Sequence, residues 1–292
     1  MSDISTNSEV LDRLRENDIE GLTSDHIEQV LAKASEIVSY KPRVGVLGKT
    51  GVGKSSLCNS IFGKEIAEVS DVKACTREPE EFLLSLDDKS QITLVDVPGV
   101  GESKERNMEY AELYKRLLPK LDLVLWVLKA DDRAYSTEEM FYKNVVKPGL
   151  GSSPFLIALN QVDKIEPFRE WDLEMNRPGP KQHDNITRKV SSVSDTFGIP
   201  SGDVVPVSSS EGYGLVSLVY RIVFRLPDEK KFSFERKVNR EHSSKEAKEE
   251  ARKGIFSALR KKLGEIWERD GDKIIENLFG GSGNAANHQS DH

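Results

Sequence analysis

The sequence predicts an α/β fold: a doubly wound, mostly parallel sheet of six strands with one antiparallel member, flanked by helical N- and C-terminal extensions. Three observations carry that prediction. Six apolar runs of strand length lie between residues 41 and 228, with helix-spaced segments between most of them. Most of these runs are nearly continuous, as parallel strands covered on both faces require. The first run leads straight into a glycine-dense stretch that opens a helix, at the carboxyl end where doubly wound sheets bind ligands.

The elements follow in order. From Val10 to Val38 apolar residues recur at helical spacing, as Leu11 and Leu14 and then Ile27, Val30, Leu31, Ala34, Ile37 and Val38. Thr23-Ser24-Asp25 offers an N-cap for the second of two helices, so residues 1–40 read as a helical extension packed on the main domain. Strands are expected at Arg43–Leu47, Glu81–Leu86, Gln91–Val97, Leu121–Leu128, Pro154–Asn160 and Asp203–Val207. Only "DDKS" separates the second from the third, too short for a crossover, so these two form an antiparallel hairpin. The domain closes near residue 228. Beyond it a charged run leads to "IFSALRKKLGEIWERD", with Ile255, Leu259, Leu263, Ile266 and Trp267 at helical spacing. An amphipathic helical extension is expected over 229–279, suited to docking on the domain or a partner more than to a membrane surface. Residues 280–292 are too polar and glycine-rich to order and read as a disordered tail.

Composition narrows the function classes. Hydrophobic residues at 37% and charged residues at 31% describe a soluble protein, and a formal charge of −7 gives no global pull toward nucleic acid, a ribosome or anionic lipid. The two cysteines, Cys58 and Cys75, make neither a disulfide scaffold nor a metal spacing, which suits a reducing cytoplasm. The N-terminus lacks the basic start and apolar core of a signal peptide, and no run approaches a membrane span.

The chemistry gathers in loops after strands. "GKTGVGKSS", Gly48–Ser56, follows the first strand and fits the pattern Gly, four free residues, Gly-Lys-Ser. Backbone N–H groups across Gly48, Lys49, Thr50, Gly51, Val52 and Gly53 would face phosphates, aided by the positive end of the next helix. Lys54 supplies a mobile ammonium for the β- and γ-phosphates. Ser55 offers a hydroxyl to Mg²⁺, a cation that needs few protein ligands. In "LVDVPGVGES", Asp96 ends a buried strand where it can hold that metal through water, and Gly99 can present its N–H to a γ-phosphate. In "FLIALNQVDK", Asp163 can accept two hydrogen bonds from guanine's N1 and exocyclic amine, a donor pair that adenine lacks. Asn160 can brace the loop and meet the ring's other edge, and Lys164 closes the motif. Ser208 and Ser209 in "VPVSSSEGYGL" stand where a backbone N–H meets the guanine oxygen, although strand-end serines also serve as helix caps.

The ordered set "GKTGVGKS", "CTRE", "DVPG", "NQVD" and "VSSS" resembles the five nucleotide motifs of the Era-like GTPases, over roughly Val44 to Leu226. "VSDVKACTREPE", "LDLVLWVLKADDRA" and "VDKIEP" are similar, more narrowly, to the YfjP-like branch. The resemblance implies a P-loop NTPase G domain that binds GTP and GDP with Mg²⁺, hydrolyses GTP slowly and acts as a switch on an effector unknown from sequence. It makes Thr76 the switch threonine, whose hydroxyl reaches Mg²⁺ with the γ-phosphate. Catalysis then rests on Lys54, Thr76 and Gly99, and the metal on Ser55, Thr76 and Asp96.

Departures matter too. Gln161 stands where relatives mostly carry lysine, removing an aliphatic stem over the base. Val100 replaces the glutamine that orients water in Ras-type proteins, leaving Glu102, Ser103 and Arg77 as candidates. Gly51 replaces the asparagine of potassium-activated relatives. Two other readings stay open: a GTPase that dimerises across the nucleotide, with membrane or partner contact through the C-terminal helix, and a non-hydrolysing sensor.

Overall fold

The structure, a computed structural model, describes residues 24–49, 51–63, 81–87, 90–95, 111–112 and 114–279, with backbone alone for 81–87, 90–95 and 270–279. The first expected prefix helix, Thr50, Cys75, Thr76, Arg77, the segment from Asp96 through Ser103, and the tail 280–292 lie outside the described residues.

Six strands form one sheet: β1 (Val44–Leu47), β2 (Glu81–Asp87), β3 (Ser90–Val95), β4 (Leu123–Lys129), β5 (Phe155–Asn160) and β6 (Val204–Pro206). Their order is β2-β3-β1-β4-β5-β6. All pairings are parallel except β2 with β3, the expected antiparallel hairpin, which runs from Glu81 opposite Val95 to Asp87 opposite Ser90. The chain moves from β1 to β3 on one side and to β4 on the other. The loop after β1 therefore opens at the point where the winding reverses, the crevice in which such sheets take ligands.

The continuous apolar runs have the expected physical origin. Successive side chains of a strand face opposite ways, and both faces of this sheet are covered. Leu123, Leu125 and Val127 of β4 and Leu156 and Ala158 of β5 enter one apolar layer. Val124, Trp126 and Leu128, with Phe155, Ile157 and Leu159, enter the other. The second layer is completed by Tyr114, Leu117 and Leu118, by a helix beginning at Ser136–Phe141 and continuing as a wide turn through Tyr142–Val146 to Gly149, and by Pro180–Phe197.

Helices from both ends of the chain build the first layer. We number the helices α1 (Ser24–Ser39), α2 (Lys54–Phe62), α3 (Ser136–Phe141 with its continuation), α4 (Pro180–Phe197), α5 (Leu215–Arg225), α6 (Asp228–Glu235) and α7 (Lys245–Phe279). Val30, Ala34 and Ile37 of α1 pack with α2, α5, α6 and the buried stripe Ala247, Ala251, Ile255, Ala258, Leu259 and Ile266 of α7. Small residues let α7 lie close to its neighbours. A Cβ on Gly254 would stand 2.6 Å from the Asp228 carbonyl oxygen, so this glycine permits the contact despite its helical cost. Ile255, Leu259 and Ile266 of the expected stripe are buried, Leu263 is half-buried against the same layer, and Trp267 is 52% exposed.

Polar links reinforce the docking. Asp122, just before β4, accepts hydrogen bonds from the Arg43 N–H at 2.8 Å, Tyr40 Oη at 3.0 Å and Lys230 Nζ at 2.7 Å. Lys231 pairs with Glu250 at 2.7 Å and Asp228 at 2.9 Å. The Asn239 N–H donates to the Ile61 carbonyl at 2.8 Å, attaching the C-terminal segment to the end of the phosphate-loop helix. Phe234 meets Phe62 edge-on with centroids 6.2 Å apart. Phe234→Ala should therefore cost about 3–5 kcal/mol and lower a single cooperative urea transition. A separate, early transition for the C-terminal helices would contradict the shared core.

Candidate functional site

The loop between β1 and α2 turns on glycines. Gly48 has φ 148° and a Cβ there would lie 2.5 Å from the Val127 carbonyl oxygen; Gly53 has φ 89° and a Cβ there would lie 2.5 Å from Asn160 Nδ2. Any side chain would push the loop off β4 in the first case and off β5 in the second. The Leu57 N–H then donates to the Gly53 carbonyl at 2.9 Å, so α2 begins directly at the loop. Lys54 Nζ crosses back to the carbonyls of Gly48 at 2.7 Å and Lys49 at 2.9 Å, holding the loop closed around its own ammonium. Ser55 is half-buried and Ser56 exposed on the first turn. Burial pushes the Cys58 thiol up to about 12 despite the nearby Lys54 ammonium, so it stays protonated and acts as a packing residue.

Asn160, at the end of β5 and 1% exposed, joins this loop to the rest of the site. Its Nδ2 donates to the Val52 carbonyl at 2.9 Å. Its Oδ1 accepts from the Ser209 N–H at 3.1 Å and Ser209 Oγ at 2.9 Å. One amide thus ties the phosphate loop at Val52 to Ser209 after β6, using both of its ends.

The role read for Ser208 and Ser209 changes in the same stroke. The Ser208 N–H donates to the Tyr213 carbonyl at 3.0 Å, and the Ser209 N–H is engaged by Asn160. Neither is free to meet a base oxygen. Ser209 fixes Asn160 from behind, and Ser60 Oγ ties the Ser209 carbonyl to α2 at 3.1 Å.

After Asn160 the chain makes a tight turn. Gln161 takes a left-handed conformation, φ 63°, and starts a short helical turn over Val162–Lys164. The Val162 N–H donates to the Val207 carbonyl at 3.2 Å. Lys164 Nζ donates to Gln161 Oε1 at 2.7 Å, and Gln161 Nε2 reaches the Gly51 carbonyl at 3.4 Å. Gln161 lacks the lysine stem yet still bridges to the phosphate loop. Asp163 presents a buried Oδ1 with no hydrogen-bond partner among the described residues.

Two residues absent from the motif reading belong to this site. Gln182 of α4 donates to the carbonyls of Asp163 and Ile165, at 3.0 and 2.9 Å. Glu138 of α3, 2% exposed, pairs with Lys49 Nζ at 2.6 Å, while its Oε2 is buried without a partner among the described residues. The Lys49 side chain therefore points to α3 and leaves only its backbone for the phosphate cradle. Both residues lie on buried helix faces, Gln182 four before Ile186 and Glu138 three before Phe141. A polar residue in that register was the available signal.

The family described as "50S ribosome-binding GTPase" matches residues 43–161. The chain is 41% identical over 223 residues to YfjP of Escherichia coli, covering 76% of this chain and 75% of that one. It is 44% identical over 202 residues to YkfA of the same organism, covering 69% and 68%. The chain belongs to the Era-like GTPases, in their YfjP-like branch. The GTPase Era of Aquifex aeolicus is a more distant relative, 27% identical over 188 residues, 63% of this chain and 56% of that one. As an Era-like GTPase the chain is a GTP hydrolase. Among the described residues no helix is long and apolar enough to cross a membrane.

The Lys49–Glu138 pair makes a direct check on the site's framework. Lys49→Met leaves a buried carboxylate without its cation and should cost on the order of 3 kcal/mol, whereas a Lys49→Met/Glu138→Leu double variant should recover most of it. Thermal unfolding reads both. Equal melting temperatures for Lys49→Met and wild type would contradict the pairing.

Proposed function

We propose that this GTPase binds GTP and GDP with Mg²⁺, hydrolyses GTP slowly when alone, and alternates between two nucleotide states as a switch. One observation carries the reading: the unpaired, buried Oδ1 of Asp163, on a turn that Asn160 ties to the phosphate loop. A buried acceptor left unpaired costs on the order of 1–3 kcal/mol, so the site calls for an outside donor. Guanine brings two, N1–H and the exocyclic amine, on one edge.

In this reading the backbone N–H groups of Gly48, Lys49, Thr50, Gly51, Val52 and Gly53, with the first turn of α2, bind the phosphates. Lys54 exchanges its two loop carbonyls for β- and γ-phosphate oxygens, which are charged and so stronger acceptors. The oxygen donors fit a hard cation with few protein ligands. Ser55, with Thr76 and Asp96 beyond the described residues, would hold Mg²⁺, which when bound offsets charge on the phosphates. Thr76 and the Gly99 N–H sense the γ-phosphate and so give the switch its two states. Asp163 selects the base, with Lys164 ordering its turn.

Orienting the attacking water is a separate task. Val100 has no group for it, which is why the isolated chain is expected to be slow. The partner is an effector protein that reads the γ-phosphate state, and the compartment is the cytoplasm. The alternative with a membrane-seeking C-terminal helix is disfavoured by α7 itself, whose Ile255, Leu259 and Ile266 are engaged in the core.

Three outcomes test the reading. Asp163→Asn exchanges an acceptor for a donor, so GDP affinity should fall roughly 100-fold or more while xanthosine diphosphate affinity rises. Wild type binding ATP as tightly as GTP would refute the base assignment. Single-turnover GTP cleavage should proceed at roughly 10⁻⁴ to 10⁻³ s⁻¹, equally in sodium and potassium because Gly51 replaces the asparagine. A fast, potassium-dependent rate would refute the mechanism, and a rate rising with protein concentration would favour catalysis across a dimer.

A further inference from the structure

We propose that Gln182 is a positioning residue for base selection, setting guanine preference by closing the turn that carries Asp163. The inference rests on the base-recognition reading above and deepens it.

The geometry is specific. Gln182 is fully buried, and its single Nε2 donates to both the Asp163 carbonyl, at 3.0 Å, and the Ile165 carbonyl, at 2.9 Å. Those carbonyls belong to residues at the middle and the exit of the turn, so one amide closes it. The orientation is fixed by chemistry. A flipped amide would set its oxygen against two carbonyl oxygens, a clash of acceptors. The cost of the arrangement is visible in Oε1, buried without a partner among the described residues. An apolar side chain would fill this place without that penalty, so the two donated bonds are what the glutamine supplies.

The platform behind Gln182 is itself held. Glu170 Oε2 accepts from the Lys181 and Gln182 N–H groups at 3.1 and 3.4 Å, which fixes the start of α4. Gly179 lies so close to Glu170 that a Cβ would fall 2.7 Å from its carbonyl oxygen. Asn185 Nδ2 donates to the Glu166 carbonyl at 2.8 Å. At the turn's other end the Val162 N–H is anchored on Val207. The Asp163 backbone is thus clamped between β6 and α4, and Gln182 is the clamp on the α4 side. Without it the carboxylate keeps its charge but loses its aim.

The test compares GDP with inosine diphosphate, which keeps N1–H and lacks only the exocyclic amine. A well-aimed carboxylate should favour GDP by roughly 10- to 100-fold, the worth of one charge-assisted hydrogen bond. Gln182→Met keeps length and removes both donors; it should cut that preference by about 5-fold or more, the size of a direct coupling, with inosine diphosphate, which keeps its N1–H bond to the same carboxylate, weakened less than GDP. Gln182→Glu places a carboxyl against two carbonyls. Burial and the neutral form's hydrogen bond raise its pKa, so guanine preference should be poor at pH 8 and recover toward pH 6, a response wild type lacks. An unchanged GDP preference in Gln182→Met, or equal weakening of both nucleotides, overturns the inference. If Gln182→Met does not fold, the Gln182→Glu comparison decides: recovery at pH 6 supports the inference, and one selectivity at both pH values overturns it. Asp163→Asn in parallel separates the two levels. If it too keeps the GDP preference, the base-recognition reading fails; if it loses the preference while the Gln182 variants keep it, only the role of Gln182 fails.

Discussion

A single buried amide holds the nucleotide face together. Asn160 donates to the phosphate loop at Val52 and accepts from the backbone and hydroxyl of Ser209 after β6, while its own carbonyl accepts the Ala130 N–H at the end of β4. Its chain neighbours form the Val162–Lys164 turn that carries Asp163. Both ends of the side chain are satisfied in a buried setting, where such bonds are strong and their loss leaves expensive orphans. Gly53 is part of the same constraint, because only a residue without a Cβ lets Nδ2 approach the loop so closely. Phosphate binding and base choice are therefore not independent modules but two faces of one clasp.

That clasp works because both layers of the sheet present it rigidly. The two layers support it differently, one with buried polar side chains and the other with a backbone bond and aromatic packing. On the α3–α4 side Glu138 takes the Lys49 ammonium and Gln182 takes the Asp163 turn. On the other side the terminal helices stiffen α2, through Asn239 on Ile61 and Phe234 on Phe62.

Much of this was legible in the sequence, for identifiable reasons. Strands buried on both faces must be continuously apolar, so β1, β4 and β5 announced themselves within a residue or two at their carboxyl ends. The short "DDKS" connection allowed only a hairpin. The glycine loop was readable because its backbone, with positive φ at Gly48, Gly51 and Gly53, calls for glycine locally, whatever distant contacts add at Gly48 and Gly53. What was hidden depended on partners far along the chain. Ser209 looks like a strand-end cap, and its bond to a residue 49 positions away has no local signal. Glu138 and Gln182 carry no motif; only their register on otherwise apolar helix faces marks them. The stripe of α7 was visible, but its partners were not. Gly254 looks like a flaw in a helix until the Asp228 carbonyl is found against it.

The most direct measurement of the central claim is calorimetric titration of Asn160→Ala with GDP and with ADP. If the amide unites the two halves of the site, GDP affinity should fall by roughly 100-fold, as expected for a broken buried network. The preference for GDP over ADP should fall with it, because the turn bearing Asp163 loses its tie to the loop. Tight, guanine-selective binding that survives the substitution would contradict the account.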